Sequence, residues 1–362
     1  MKADIRDFTL EELTELIKKM GEPAHRARQI FRWLYSKNVR AFGAMTDLPK
    51  GLVRRLEDEI GIGRISCEEK SVSRDGTEKF LWKLGDGRFV ESVLIRVPGE
   101  GGRRTLCLST QVGCKFKCPF CASGAGGFTR NLRVSEILDQ IVSVQEAASL
   151  RITNIVFMGM GEPLDNYDNV VKAIRIMNDP AGLGIGARKI TVSTCGIVPA
   201  IRCLKDLGLQ IELSVSLHSA EDALRDSLVP SNRKYPLKEL ESALKEYTRD
   251  TGRVITLEYT LISGVNDTDK SADKLAAFAK RIKGKVNLIA CNPSSGKKGK
   301  PGQGRLSEFR KVLEEKGVTA TIRRSKGDDI MAACGQLAAR QRTENRGQKA
   351  EDRGQKAEDG QR

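Results

Sequence analysis

The sequence has only two histidines, His25 and His218, in 362 residues. Structural zinc sites usually set paired Cys/His knuckles at two separated places. This chain has no histidine pair and no second Cys-x2-Cys to supply the other half. Long apolar runs are missing too, since nothing approaches the ~20 residues that a membrane span needs. Nothing near the N-terminus reads as a signal peptide or lipid anchor, so the cytoplasm is the expected location. In that reducing compartment the nine cysteines are expected to serve chemistry or small core positions, not structural disulfides. Acidic residues are short relative to basic ones, 47 against 62, which leaves a net charge of +15. An excess this large favours an anionic partner, of which nucleic acid is the common one. A generally basic soluble surface is the plainer account.

Against these absences stands one dense stretch, residues 107–128. It carries Cys114, Cys118 and Cys121 as a Cys-x3-Cys-x2-Cys. Three thiolates this close can wrap a short loop around one face of an iron–sulfur cluster. A [4Fe–4S] cubane usually takes four cysteines, so three would leave one iron open. An open iron is a place for a ligand, as an open zinc position marks a catalytic zinc. A zinc ion on the same loop is the alternative.

Along the chain, residues 1–63 read as helical. Thr9 and Glu12 form a capping box that opens a helix Leu10–Met20. Helices Ala24–Ser36 and Lys50–Ile60 follow, rich in arginine (Arg26, Arg28, Arg32, Arg54, Arg55). Such a module suits RNA phosphates, or is an ordinary solvated face. Residues 64–100 switch to period two and read as a β-hairpin extension, Lys79–Leu84 and Phe89–Val97 about Gly85–Arg88. Glu91 sits inside the second strand, and pattern alone places it outward. Residues 101–340 alternate strands and helices. The strands are expected at Thr105–Ser109, Asn154–Met158, Lys189–Ser193, Gln210–Ser216, Val254–Leu261, Val286–Ala290 and Thr319–Ile322. The helices are expected at Ser135–Ala148, Asp168–Asn178, Val198–Leu207, Leu237–Thr251, Lys270–Ile282 and Leu306–Lys316. About six such units are too few for an eight-fold barrel, so the fold class is α/β, a partial (βα)6 barrel. Residues 341–362 repeat Arg-Gly-Gln-Lys-Ala-Glu-Asp, from Arg346 and again from Arg353, and read as a disordered tail.

Ligands of parallel α/β folds gather at the carboxyl ends of the strands. Here those ends read Met158-Gly-Met-Gly-Glu-Pro163, Ser193-Thr-Cys-Gly196, Ser216-Leu-His-Ser219 and Cys291-Asn-Pro293. Glycine lets a ligand approach the backbone. Glu162 suits an amino group, and Ser193, Ser216 and Asn292 suit a ribose or carboxylate. The three-cysteine loop follows the first strand, on the same edge.

Together these features resemble the radical S-adenosylmethionine (SAM) superfamily. Within it they resemble the RNA adenine C2 methyltransferases of large-subunit ribosomal RNA and certain tRNAs. The resemblance covers about residues 9–337. It is carried also by Gln29–Tyr35, Ser109–Cys114, Gly127–Leu132 and Ala332-Ala-Cys-Gly-Gln-Leu337. It implies a [4Fe–4S] cluster on Cys114, Cys118 and Cys121. It implies SAM, two per turnover, at Gly161, Glu162, Ser193, Ser216, Leu217, His218 and Asn292. Cys334 would be the methylated cysteine, Cys107 its disulfide-forming partner and Glu91 the proton acceptor. The implied partners are 23S rRNA at the peptidyl-transferase centre, the adenosine 3′ of the anticodon in some tRNAs, and an electron donor such as flavodoxin or ferredoxin. The implied state is a monomer off the membrane. Ser219 departs from the family pattern, which has Ala there. The chemistry has a reason: adenine C2 is electron-poor and has no acidic proton, so polar methyl transfer lacks a nucleophile and a radical route is needed. Basic residues expected to grip the backbone include Arg26, Arg28, Arg32, Lys115, Lys117, Arg130, Arg133 and the run Lys297-Lys-Gly-Lys300. Two rivals stand: a sister enzyme that methylates C8 of the same base and gives antibiotic resistance, and a non-catalytic RNA-binding protein with a structural metal site.

Overall fold

The computed structural model describes residues 2–97, 99, 102–292, 299 and 301–338. The repeat tail and Lys297, Lys298 and Lys300 lie outside the described residues.

Three amphipathic helices build the N-terminal layer: α1 (Leu10–Lys19), α2 (His25–Tyr35) and α3 (Lys50–Glu59). The Thr9–Glu12 capping box forms in both directions, with Glu12 N–H donating to Thr9 Oγ1 and Thr9 N–H to Glu12 Oε2. Leu13 and Ile17 of α1 face Ile30, Phe31 and Leu34 of α2 in a dry seam. The layer is pinned to the rest by Arg6, fully buried, which meets Asp139 at 2.5 Å.

Ten strands make one sheet in unbroken chain order. Three are antiparallel: β1 (Ser66–Val72), β2 (Glu78–Lys83) and β3 (Phe89–Arg96). Seven are parallel: β4 (Arg104–Cys107), β5 (Asn154–Phe157), β6 (Ile190–Thr194), β7 (Glu212–Ser216), β8 (Thr256–Leu261), β9 (Lys285–Ala290) and β10 (Ala320–Arg323). Between consecutive parallel strands lie α4 (Val134–Ala148), α5 (Tyr167–Asn178), α6 (Val198–Leu204), α7 (Asp222–Leu228) with α8 (Leu237–Thr251), α9 (Asp269–Arg281) and α10 (Gln303–Glu315). Helices that return over one face of a parallel sheet curl it toward a barrel. Six such crossovers leave it open, as expected from the sequence. The expected hairpin is a three-stranded edge, and it continues the barrel sheet through β3, whose Val93 faces Cys107 of β4. The expected helix Val198–Leu207 stops at Leu204 and finishes as a 3-10 turn.

The chain after β10 runs back across the opening to the hairpin. Asp329 accepts from Ser73 Oγ at 2.6 Å and from Arg74 N–H at 3.1 Å. Asp75 accepts from Gly327 N–H at 3.2 Å, and Ala338 N–H reaches Glu91 at 2.9 Å. Residues 325–338 therefore form a strap between the two ends of the open sheet, and Cys334 rides on it.

Candidate active site

The three-cysteine loop is clamped at its base by a short antiparallel ribbon, Gln111–Gly113 with Phe128–Asn131. Cys114 N–H donates to Gly127 O at 3.0 Å, and Cys121 N–H closes a turn onto Cys118 O at 3.0 Å. Gly113 has φ +75°, and a Cβ there would stand 1.8 Å from Gly127 O. Only glycine fits where the ribbon opens into the loop.

Cys114, Cys118 and Cys121 line one side of a cavity of about 160 Å³. Strand ends line the other side, with Gly161, Glu162, Ser193, Ser216, His218 and Asn292, and Cys334 closes it from the strap. A second cavity of about 600 Å³ fills the barrel below and is lined by Cys107, Glu258, Arg323 and again Cys334. Cys334 and Asn292 thus border both. Leu217 borders neither; its backbone N–H donates to Glu258 O at 3.0 Å. Glu91 is also outside both cavities. It is 2% exposed, pairs with Lys79 at 3.4 Å and accepts the Ala338 N–H. The outward, solvated placement read from its strand pattern is wrong, because the strap covers that face.

Several strand-end groups are already engaged. Glu162 accepts from Leu164 N–H at 3.0 Å and Cys195 N–H at 2.7 Å, which ties the end of β5 to that of β6. Burial still pushes its carboxyl up, against those hydrogen bonds. Asn292 bridges to the strap, donating to Cys334 O at 3.4 Å and accepting from Ser325 Oγ at 2.9 Å. His218 takes a left-handed φ of 57°. Its Nδ1 accepts from Thr260 N–H at 3.0 Å, so the neutral ring carries its proton on Nε2. Burial, helped by the charge of Arg225, pushes its pKa down to about 3.

The sulfurs show what they need. Burial pushes Cys114 up to about 12 and raises Cys118 and Cys121 as well. Metal ligation needs the thiolate, so this set becomes a ligand set only with a cation to hold the charge. Among the described residues no three Cys, His, Asp or Glu side chains converge on a single ion. A cubane attaches its cysteines to separate irons and needs no such convergence. Three thiols of one short loop lining a single cavity are a donor set that fits an iron–sulfur cluster. All nine cysteines are free thiols, Cys107 and Cys334 included.

Three polar residues escaped the sequence reading. Gln111 donates to Asn131 at 2.8 Å and Asp165 at 2.9 Å and accepts from Glu162 N–H, locking ribbon to strand end. Arg225, fully buried, gathers the carbonyls of Cys195, Ser216 and Leu217 under the cavity. Glu258 is a carboxylate inside a strand, the same signal that drew attention to Glu91. Of the basic residues read as RNA contacts, Arg130 is held by Glu136 and Asp86 and Lys115 pairs with Asp165. Arg28, Arg32 and Lys117 are exposed.

An open parallel barrel with a three-cysteine loop over its carboxyl edge defines a class, the radical SAM fold. Residues 108–276 match the model of the Radical SAM superfamily, and residues 3–62 that of the ribosomal RNA large subunit methyltransferase N-terminal domain. The solved radical SAM methyltransferase from Sphaerobacter thermophilus superposes with a TM-score of 0.87 at 43% identity, covering 93% of this chain and 99% of that one. The probable dual-specificity RNA methyltransferase RlmN of Symbiobacterium thermophilum is 45% identical over 94% of this chain and 92% of its own. That of Thermotoga maritima is 46% identical over 92% and 97%. The chain belongs to the RlmN family of radical SAM RNA methyltransferases. No helix among the described residues is long and apolar enough to cross a membrane.

Proposed function

We propose that the protein methylates C2 of an adenosine in 23S rRNA, and the adenosine 3′ of the anticodon in some tRNAs, with Cys334 as the carrier of the one-carbon unit. The observation that carries this is the position of Cys334, which borders both the three-cysteine cavity and the lumen that holds Cys107. A thiol placed there can receive a methyl group on one side and deliver it on the other.

In this reading Cys114, Cys118 and Cys121 hold a [4Fe–4S] cluster. Gly161, Glu162, Ser193, Ser216, Leu217, His218 and Asn292 hold SAM. When bound, the cluster and two SAM per turnover supply an electron, a methyl group and a hydrogen-abstracting radical. The chain does the rest. Asn292 fixes the strap that presents Cys334. Glu91 takes the C2 proton, for which the strap contact through Ala338 must open. Cys107 attacks the Cys334 sulfur; the sulfur–carbon bond breaks with its electron pair on carbon, which takes up a proton. The methylated base leaves, and the resulting disulfide needs two electrons to reset. Burial pushes the Cys107 thiol up to about 12, and the nearby Arg323 guanidinium only partly opposes this. A flavodoxin- or ferredoxin-type donor, a monomeric state and a cytoplasmic site complete the proposal. The net charge of +15 supports an RNA substrate.

The test is anaerobic. The protein is reconstituted with iron and sulfide and mixed with SAM, dithionite and unmodified rRNA or tRNA, with Cys334→Ala in parallel. Mass spectrometry of the digested RNA should find 2-methyladenosine from wild type alone. 8-Methyladenosine would move the assignment to the C8 chemistry. SAM cleavage without RNA methylation would sink the substrate.

A further inference from the structure

The barrel interior is unusually polar. A closed eight-stranded barrel fills its centre with branched apolar side chains. Here Thr191, Ser214, Thr256, Glu258, Asn287 and Arg323 border an open lumen of about 600 Å³, within the size range of small-ligand sites. One group in it lacks a partner. Glu258, 4% exposed on β8, accepts from Asn287 Nδ2 at 3.2 Å through Oε1. The Ser214 hydroxyl lies beside the carboxyl, yet no donor reaches the buried Oε2 with hydrogen-bond geometry. Asn287 cannot turn to help, because its own oxygen accepts from Thr321 Oγ1. A buried carboxylate oxygen left without a donor is costly. A donor brought by a ligand removes that cost.

The place of Glu258 says which ligand. It borders both cavities, in one ring with Met158, Ile289, Asn292 and Cys334. The cysteine loop covers the upper cavity, so a substrate reaches Cys334 from the lumen. At the far end of the lumen stand Arg103, Arg188, Lys189 and Lys285, all exposed at the N-terminal ends of their strands. That is a mouth suited to phosphates.

We propose that the lumen receives the target base, drawn out of its stack, and that Glu258 Oε2 accepts a hydrogen bond from the exocyclic amino group of the adenine. Glu258 is then the residue that reads adenine, and the inference rests on the methyltransferase reading above. A site built to bind an N–H discriminates strongly against an analogue that lacks it, because its own polar group is left unpaired.

The test uses reconstituted enzyme with SAM but no reductant, so that binding is read without turnover. RNA stem–loops carry adenosine, purine riboside (which lacks the amino group) or inosine at the target position. Fluorescence anisotropy gives Kd for wild type, Glu258→Gln and Glu258→Ala. Wild type should prefer adenosine to purine riboside by roughly tenfold or more. Glu258→Ala should lose that preference and bind the purine riboside RNA as wild type does. In Glu258→Gln, Asn287 holds the amide oxygen, so the NH2 faces the base and inosine should gain on adenosine. SAM affinity should be unchanged in both. A wild type indifferent to the amino group, variants that keep the preference, or a loss of SAM binding overturns the proposal. Wild-type enzyme that methylates adenosine RNA yet is indifferent to the amino group defeats the Glu258 assignment alone. Enzyme that neither binds nor methylates the adenosine RNA defeats both readings.

Discussion

The backbone N–H of Ala122, one residue past Cys121, donates to the carbonyl of Gly335, one residue past Cys334, at 2.7 Å. This bond joins the loop read as the cluster site to the strap that carries the proposed methyl carrier. Ser123 Oγ to Leu337 O at 2.7 Å repeats the connection. Two sulfurs far apart in sequence are thus placed by backbone contacts a residue away from each.

Ala122→Pro should break the first contact and little else. Ala122 opens a 3-10 turn, where proline fits, and Cys121 before it is extended at ψ 120°, as a residue before proline prefers. The lost hydrogen bond is worth about 1 kcal/mol and leaves the Gly335 carbonyl unpaired. RNA methylation should fall roughly tenfold while iron per chain stays at the wild-type level. Equal loss of both would mean the contact serves only the loop.

Gly113→Ala should act in the opposite sense. The left-handed backbone is strained by about 1–3 kcal/mol for a non-glycine residue, and the new Cβ collides with Gly127 O. The ribbon must spread, so iron and sulfide bound per chain should drop sharply and the thermal midpoint should fall. A variant that loads a full cluster would show that the ribbon does not shape the loop.

Much of the fold was legible because apolar runs and amphipathic helices alternate cleanly after residue 104. Helix α8 spans the expected Leu237–Thr251. What escaped was short or held by distant contacts. Helix α7 has only seven residues, two turns, too few for a periodic signal. Strand β1 is an edge strand whose residues are mostly exposed, so it shows no buried face. The ribbon around the cysteine loop uses strands of only three and four residues, too short for an alternating pattern. For the site, the cysteine spacing and the glycines after strands were local and readable. The place of Cys334 was not, because it depends on the return of residues 325–338 to the hairpin. The same return buries Glu91, which alternation alone had turned outward.

Asp75 gives the strap a pH dependence. Partial burial works against its charge, but hydrogen bonds from the Thr77 side chain and N–H and from Gly327 N–H outweigh this and hold its pKa at about 2. A carboxylate with a folded-state pKa below the usual 3.8 stabilises above that value and loses its contribution as pH falls toward 2. Hydrogen exchange at Gly327 and Ala332 should therefore quicken, after correction for intrinsic rates, between about pH 4 and 2. In Asp75→Asn that extra acid sensitivity should be absent, and exchange there should already be faster at pH 7. Unchanged protection in the variant would place the strap's anchorage elsewhere, on Asp329.

A fully buried ion pair helps join the N-terminal layer to α4, where Arg40 is a second partner of Asp139 at 3.5 Å. Arg6 is fully buried and Asp139 is 2% exposed, with 2.5 Å between them. Asp139 also accepts from Ile65 N–H at 2.7 Å, where the chain leaves the helical layer for β1. Removing one partner of such a pair strands a charge and costs about 3–5 kcal/mol, whereas replacing both with apolar groups costs far less. Asp139→Ala should thus lower the denaturant midpoint markedly or release residues 3–62 to proteolysis. Arg6→Met combined with Asp139→Leu should recover most of that loss. If the single and double variants unfold at the same midpoint, the damage comes from the lost Ile65, Arg40 and Ser143 contacts of Asp139 and not from the stranded Arg6 guanidinium.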